Sequence, residues 1–411
     1  MELFSRIKAP KMLKLKSSTL KEINPGKEML YNLSTGYGNV CQPVVKVGDM
    51  VEVSQVIGES SQGKSEKIYS TVSGKVLKII DSPNNHGSRV PTIIIENDGE
   101  YKKQERQATQ QVDYEIYIEA LRKYSLTDTQ GIKLYEKYKV DNPKDITSII
   151  INASSWDINS LVLQYFINEK SVEIMEAVNI IKSIFVNASI FFVFNKKDGF
   201  DYDKLKSSQN VNIKLINKKY NHKMEKQLIN EAIGNTSENK VLVDEIQSLL
   251  GIYSAVKLNE PVINEVITIT DPEMNSLNYK VRVGTKISDI YEALKIKEEQ
   301  IDKIARNGLI SGQALIGASV PVTQGTESIA FIKYKKPESE RACIRCGECV
   351  NVCPLNLYPI KLINYINKED TQEFKKYRGD QCVECGLCSY VCPSRINLSS
   401  KIALGKSNIL K

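Results

Sequence analysis

Residues 341–359 read RACIRCGECVNVCPLNLYP, and residues 380–398 read DQCVECGLCSYVCPSRINL. Each stretch holds four cysteines at gaps of two, two and three, with a proline directly after the fourth. The first set is Cys343, Cys346, Cys349 and Cys353; the second is Cys382, Cys385, Cys388 and Cys392. Of the chain's 9 cysteines only Cys41 stands apart. A disulfide framework would spread its cysteines over a small secreted domain, whereas clustered cysteines read as metal ligands. The run C-x2-C-x2-C-x3-C-P is the bacterial ferredoxin spacing for a [4Fe–4S] cluster. Zinc, the rival, takes paired C-x2-C knuckles rather than a triplet with a distant fourth cysteine and a proline, repeated.

Three thiolates at two-residue gaps curl around one face of a cubane, and the fourth reaches the other cluster. Cluster one is therefore assigned to Cys343, Cys346, Cys349 and Cys392. Cluster two takes Cys382, Cys385, Cys388 and Cys353. Gly347 and Gly386 sit between the second and third ligands, where the lack of a β-carbon lets backbone approach the sulfides. Pro354 and Pro393 are expected to end each ligand loop and begin the next helix. Two clusters in one small domain make an electron relay, whose potentials the sequence does not fix.

Outward from this end, the chain of 411 residues exceeds one ordinary core, so several domains are expected. Its 41% apolar and 26% charged residues suit a globular protein. No apolar run reaches the length of a membrane-spanning helix. The start, MELFSRIKAPKMLKLKSS, is basic without an apolar core or cleavage site, so no secretory signal is read and the cytoplasm is expected. The net charge of +7 is scattered; its densest patch, NKKYNHKMEK at 217–226, has no nucleic-acid motif beside it.

Residues 1–112 carry short β-rich runs punctuated by Gly48-Asp49 and Ser73-Gly74 turn signals. Residues 113–256 alternate strand and helix. Ile146–Ile151 suits a buried parallel strand; Ile174, Val178, Ile181 and Phe185 fall at helical spacing; Ser189–Phe194 and the run Val211, Ile213, Leu215 read as strands. Residues 257–337 begin with a hairpin, EVITIT and NYKVRVGT, followed by a helix over Ile287–Leu294 and a β stretch at 318–334. Residues 338–411 hold the cysteine motifs with a polar helical segment between them. The fold class is thus multidomain, α/β and β, with a ferredoxin-like helical end.

PVVKVGDMVEVSQVIG…STVSGKVLKI resembles the barrel-sandwich hybrid of biotinyl and lipoyl domains. Its hairpin tip, Ser61-Gln62-Gly63-Lys64-Ser65, lacks the Asp-Lys-Ala or Met-Lys-Met of a modified lysine, so a structural domain is expected. The order of this segment, an α/β domain, ISGQALIGASVPVTQGTESIAFI and the two cysteine motifs resembles the C subunit of Rnf electron-transport complexes along nearly the whole chain. That resemblance implies a soluble-ligand-binding (SLBB) β-grasp domain at 257–337 and a flavin- and NADH-type middle domain at 113–256. In that family a glycine-rich loop and a Glu-x-Glu stretch bind flavin and nicotinamide, glycines letting backbone amides approach phosphates. Here the matching stretches are LRKYSLTDTQGIKLYEKY, with Gly131 alone, and Asn152-Ala153-Ser154-Ser155-Trp156-Asp157, with no glutamate pair. FMN and NAD are therefore expected to be absent and the middle domain degenerate, with Trp156 packed.

What the resemblance leaves is a relay awaiting partners: a protein electron donor and a terminal reductase. Relatives of this kind include the electron-transfer protein associated with D-proline reductase. Against that stand a true Rnf C subunit, membrane-docked and oxidising NADH through FMN, and a non-catalytic assembly scaffold. Enzyme status is open; the chain is read as the electron-transfer component of an oxidoreductase system, peripheral docking on an Rnf complex included. Cys41, in the polar segment GYGNVCQPVVKVGD, is either an unremarkable thiol or a redox thiol whose partner supplies the second sulfur. His86 and His222 have no ligand-spaced neighbours and are read as surface residues.

Overall fold

The computed structural model describes residues 20–409 except 36–38, 61–65, 110, 155–156, 158–159, 197–198, 207–210, 217–224, 235–239, 311 and 334–338. Lys64, Trp156, His222 and most of the 217–226 patch lie outside the described residues.

The first unit is a sandwich of two four-stranded sheets. Glu28–Asn32, Arg89–Asn97, Gly74–Pro83 and Met50–Val51 form one, in that spatial order, and Ser34–Thr35, Asn39–Pro43, Val56–Ser60 and Lys67–Tyr69 the other. Met29, Tyr31, Leu33, Val51, Ile57, Val76, Ile93 and Ile95 fill the space between them. Gly74 opens a long strand rather than a turn. Its φ is +146°, and a β-carbon there would lie 1.8 Å from the Glu96 carbonyl oxygen, so only glycine fits.

The middle unit is a parallel sheet ordered Val211–Ile216, Ser189–Asn195, Ser148–Asn152, Val241–Glu245. Ser148–Asn152 is buried on both faces, as the apolar run SIIIN requires of a central parallel strand. Ser171–Ile184 packs Ile174, Val178 and Ile181 onto the sheet from the 3.6-residue stripe, and Phe185 caps it against Tyr117 and Tyr138. The strand Val241–Glu245 was not foreseen in the sequence; it lies across the sheet from its chain neighbours and creates a switch in strand order beside Ser148–Asn152.

The third unit is a mixed six-stranded sheet ordered Lys21–Ile23, Ser276–Arg282, Asn264–Thr270, Ser328–Ile332, Lys303–Arg306, Gln313–Ala314, with the helix Ile287–Ala293. The expected hairpin pairs Asn264 with Arg282 through Thr270 with Ser276, its turn closed by Asp271 accepting from the Glu273 and Asn275 amides. Its edge strand comes from the other end of the chain: Lys21–Ile23 pairs in parallel with Tyr279–Val281.

The last unit is helical. Glu348–Asn351 and Leu387–Tyr390 each carry the third cysteine of a triplet, Cys349 and Cys388, and Pro359–Asn367 packs against Leu398–Ile409 around Leu362, Phe374 and Ile402. Pro354 and Pro393 do not begin helices. Asn356 at φ +52° and Arg395 at φ +57° are left-handed, so the helices start only at Pro359 and Leu398.

Candidate functional site

The two cysteine loops repeat one backbone path. Arg345 and Glu384 take φ of +57° and +55°, Gly347 and Gly386 take +82° and +77°, and each glycine caps a four-residue helix. Left-handed residues on either side of the second ligand fold the chain back on itself, so amides point inward at sulfur. Arg345 N–H donates to Cys343 Sγ at 3.4 Å, and Leu357 N–H donates to Cys353 Sγ at 3.3 Å. The Glu384 and Leu387 amides serve Cys382 and Cys385 in the same way. Such hydrogen bonds hold thiolate charge and tune a cluster's potential.

The thiols sort into two groups that cross the motifs. The Cys349 thiol is pushed up by burial and then by its neighbours Cys346, Cys343 and Cys392. Cys388 is pushed up to about 12 by burial, then by Cys385, Cys382 and Cys353; Cys385 rises to about 11 for like reasons, with Cys353 and Cys382 nearby. One cavity is lined by Cys353, Cys382, Cys385 and Cys388 together, walled by Leu357, Leu362 and Ile402. Among the described residues no three of His, Cys, Asp or Glu converge on a single ion. The donor set suits a cubane, whose four thiolates bind four separate irons: four sulfurs per group, amide donors to the sulfurs, and an apolar wall that limits water.

The middle unit presents a second place for a ligand. In open parallel sheets ligands bind outside the carboxyl ends of the strands at a switch in strand order. Here that point lies between Asn152 and its register partner Glu245. The loop 128–132, where the resemblance places a phosphate cradle, faces it. Thr129 N–H donates to Glu245 Oε1 at 2.5 Å and Thr129 Oγ1 to Oε2 at 2.9 Å. Gln130 and Ile132 N–H both donate to Asp128 Oδ1 at 2.9 Å; Gly131 N–H takes the Asp128 carbonyl and Asp128 N–H the Ile132 carbonyl. All five amides of the loop are thus occupied, three of them by the carboxylates of Asp128 and Glu245. Lys137 Nζ answers Asp128 Oδ2 at 3.0 Å, with Asp244 further off at 4.0 Å. Burial and then Asp128 push Glu245 up to about 8, and burial pushes Glu265, nearby on the third unit, up to about 7. Sequence reading missed this acidic group, because its members come from segments far apart in the chain.

Asp157 lies beyond the end of Ser148–Asn152 and accepts the Ile310 N–H at 2.8 Å, tying the third unit to this crevice. The third unit in turn meets the cysteine domain: a β-carbon on Gly386 would lie 2.4 Å from the Ile310 carbonyl oxygen.

Cys41 is not in a polar segment outside the first unit. It sits in Asn39–Pro43, is 0% exposed among Leu33, Val45 and Ile57, and its Sγ donates to the Glu66 carbonyl at 3.9 Å. Burial, then the Glu66 charge, pushes its thiol up to about 11. A buried, protonated thiol is a poor nucleophile, which favours the unremarkable thiol of the two readings. His86 is half-buried rather than a surface residue, within 3.2 Å of Gln313 on the third unit.

Comparison with known proteins agrees with this anatomy at both ends. Residues 7–100 match the RnfC barrel sandwich hybrid domain, and residues 342–396 match the 4Fe-4S dicluster domain. The C subunit of the ion-translocating oxidoreductase complex of Haemophilus influenzae (strain PittEE) is 26% identical over 382 residues, 88% of this chain and 59% of that one. The C subunit of the proton-translocating ferredoxin:NAD(+) oxidoreductase complex of Clostridium ljungdahlii is 28% identical, over 82% of this chain and 78% of that one. The Na(+)-translocating counterpart from Acetobacterium woodii is 23% identical over 81% and 80%. The chain spans only 59%, 47% and 57% of the three Haemophilus influenzae relatives. Among solved structures, an air-oxidised NAD+-reducing [NiFe]-hydrogenase covers 71% of this chain and 65% of its own at 9% identity, with a TM-score of 0.42, too low to carry a fold across. No helix among the described residues is long and apolar enough to cross a membrane. The chain thus resembles RnfC proteins, matching the RnfC barrel sandwich hybrid domain at its front and the 4Fe-4S dicluster domain at its end.

Proposed function

We propose that this protein relays single electrons between protein partners through two [4Fe–4S] clusters and that its middle unit holds no flavin or nicotinamide. The observation that carries the relay is the crossing of the thiol groups. Cys343, Cys346, Cys349 and Cys392 would hold one cluster, and Cys382, Cys385, Cys388 and Cys353 the other. When bound, each cluster supplies a one-electron carrier that needs no proton. The chain supplies the rest: amides of Arg345 and Leu357 hold thiolate charge, and Leu357, Leu362 and Ile402 limit water. The middle unit's own carboxylates support the absence of flavin, because an anionic phosphate would have to displace Glu245 and Asp128 from amides they already occupy. A terminal reductase such as D-proline reductase is the acceptor we name, with the relay in the cytoplasm and docking peripherally where its donor is membrane-bound.

The second reading is a true Rnf C subunit with FMN and NADH oxidation, which the names of the relatives favour equally. Anaerobic purification with iron, sulfide and flavin assayed separates the two. About eight irons per chain, no flavin and no bleaching by NADH support the relay. Stoichiometric flavin with rapid bleaching overturns it in favour of the Rnf reading.

A further inference from the structure

The two halves of the cysteine domain repeat each other in backbone but not in surroundings. At Gly386 a β-carbon would collide with the Ile310 carbonyl oxygen at 2.4 Å, whereas at Gly347, with nearly the same φ, nothing lies within 4 Å. Leu387 and Cys388 are buried, but their counterparts Glu348 and Cys349 are only half-buried. Cys343 is an exposed ligand, while its counterpart Cys382 is half-buried. The second motif is therefore the one anchored to the body of the protein, and the first faces outward.

Charge follows the same division. Aligning the repeats sets Arg341 against Asp380 and Arg345 against Glu384. Glu384 is answered by Lys406 at 3.6 Å. Arg341 and Arg345 are exposed, and among the described residues their guanidinium groups make no ion pair or hydrogen bond. They flank Cys343 and Ile344, which is 63% exposed. Of the nearby carboxylates, Glu340 is held by Lys401 at 2.5 Å, and Glu348 is left as the one acid on the helix behind. An apolar side chain between two unpaired arginines, beside an exposed ligand, is the composition of a protein-docking surface.

Resting on the relay reading, we propose that the first-motif edge is the docking surface for an acidic electron-carrier protein. The patch Arg341, Ile344 and Arg345 would bring the carrier's redox centre up to Cys343. A cluster held by Cys343, Cys346, Cys349 and Cys392 would exchange one electron with the carrier's centre, one being oxidised as the other is reduced, with no bond or proton transferred. The basic edge steers the acidic partner at long range, and Asp380 beside the second motif disfavours docking there.

The test uses the iron-loaded protein and two probes, a small acidic two-cluster ferredoxin and cytochrome c, a basic haem protein. Binding of the oxidised acidic ferredoxin and second-order electron exchange are measured at low and high salt for wild type, R341E/R345E and D380R. We expect R341E/R345E to weaken binding and slow exchange with the acidic ferredoxin by roughly tenfold or more at low salt, to flatten the salt dependence and to speed exchange with cytochrome c. D380R leaves acidic ferredoxin binding within about twofold of wild type or strengthens it. Iron and sulfide content equal to wild type in each variant keeps the relay reading intact, so a failure then belongs to the docking surface alone. Unchanged binding in R341E/R345E at full iron content overturns the proposal. So does binding of the wild type, but not of R341E/R345E, to anionic phospholipid vesicles without any ferredoxin binding, which would assign the patch to a lipid surface.

Discussion

Replacing each loop glycine by alanine isolates the contact that fixes the cysteine domain to the rest of the molecule. Gly347 and Gly386 have φ of +82° and +77°, so an alanine at either site pays the same left-handed penalty, about 1–2 kcal/mol. At Gly347 the new methyl meets nothing within 4 Å, so that penalty is the whole cost. At Gly386 it would sit 2.4 Å from the Ile310 carbonyl oxygen and 3.7 Å from the Ile310 side chain, so backbone must move. Overpacking of this kind adds about 1–3 kcal/mol. Because the chain has several units, a single unfolding midpoint is ill-defined, and local hydrogen exchange is the better assay. The reporter is the Ile310 amide, which donates to Asp157 at 2.8 Å. The difference between the variants converts to roughly 5- to 150-fold faster exchange at Ile310 in G386A than in G347A. Equal protection in the two variants, at equal iron content, would refute the claim that the second motif is the anchored one.

Three further outcomes are expected. Lys133 and Glu66 form a buried pair at 2.6 Å between the first and middle units, with Tyr135 OH also on Glu66 at 3.1 Å. K133M alone should cost about 3–5 kcal/mol, read by hydrogen exchange at the Ser60 amide that donates to the Glu66 carbonyl, and K133M/E66L should recover much of it; a double variant worse than the single would contradict this. Glu245 and Glu265 are raised from 4.5 to about 8 and about 7, so the fold holds protons that the unfolded chain has already released. Stability should therefore fall as pH rises from about 5 to 8, and E245Q and E265Q should flatten that slope; stability rising over this window in wild type would reverse the sign. Cys41 should resist thiol reagents in the folded protein at pH 8, and C41A should keep full electron exchange; rapid labelling at Cys41 would restore the redox-thiol reading.

The cysteine domain was legible because its ligands lie within a few residues of one another, and their spacing alone dictates a loop that closes on a cluster. The central strand at Ser148–Asn152 and the hairpin at 264–282 could also be read, from an unbroken apolar run and from alternation. Other elements carried no local signal. Lys303–Arg306 has two apolar residues, one of them alanine, and Val241–Glu245 ends in two acids that look like loop. Cys41 was misread because glycine, asparagine and glutamine surround it in sequence, while strand alternation turns its side chain into the core. The carboxylates on loop 128–132 were invisible because Glu245 is more than a hundred positions from the amide it caps.

The pairing of Lys21–Ile23 with Tyr279–Val281 has a consequence for synthesis on the ribosome. The strand leaves the exit tunnel long before its partner, and the edge it completes does not exist until residue 281 has emerged. At the usual rates of translation that is a wait of roughly 10–50 s, during which the sandwich unit between them has time to fold and hold the waiting segment close to its own front edge. A chain trimmed to begin at Glu28 would leave Ser276–Arg282 as a bare edge, open to pairing with a neighbour's copy. Cutting into the front of this protein therefore exposes a sheet that is otherwise made from residues hundreds of positions downstream.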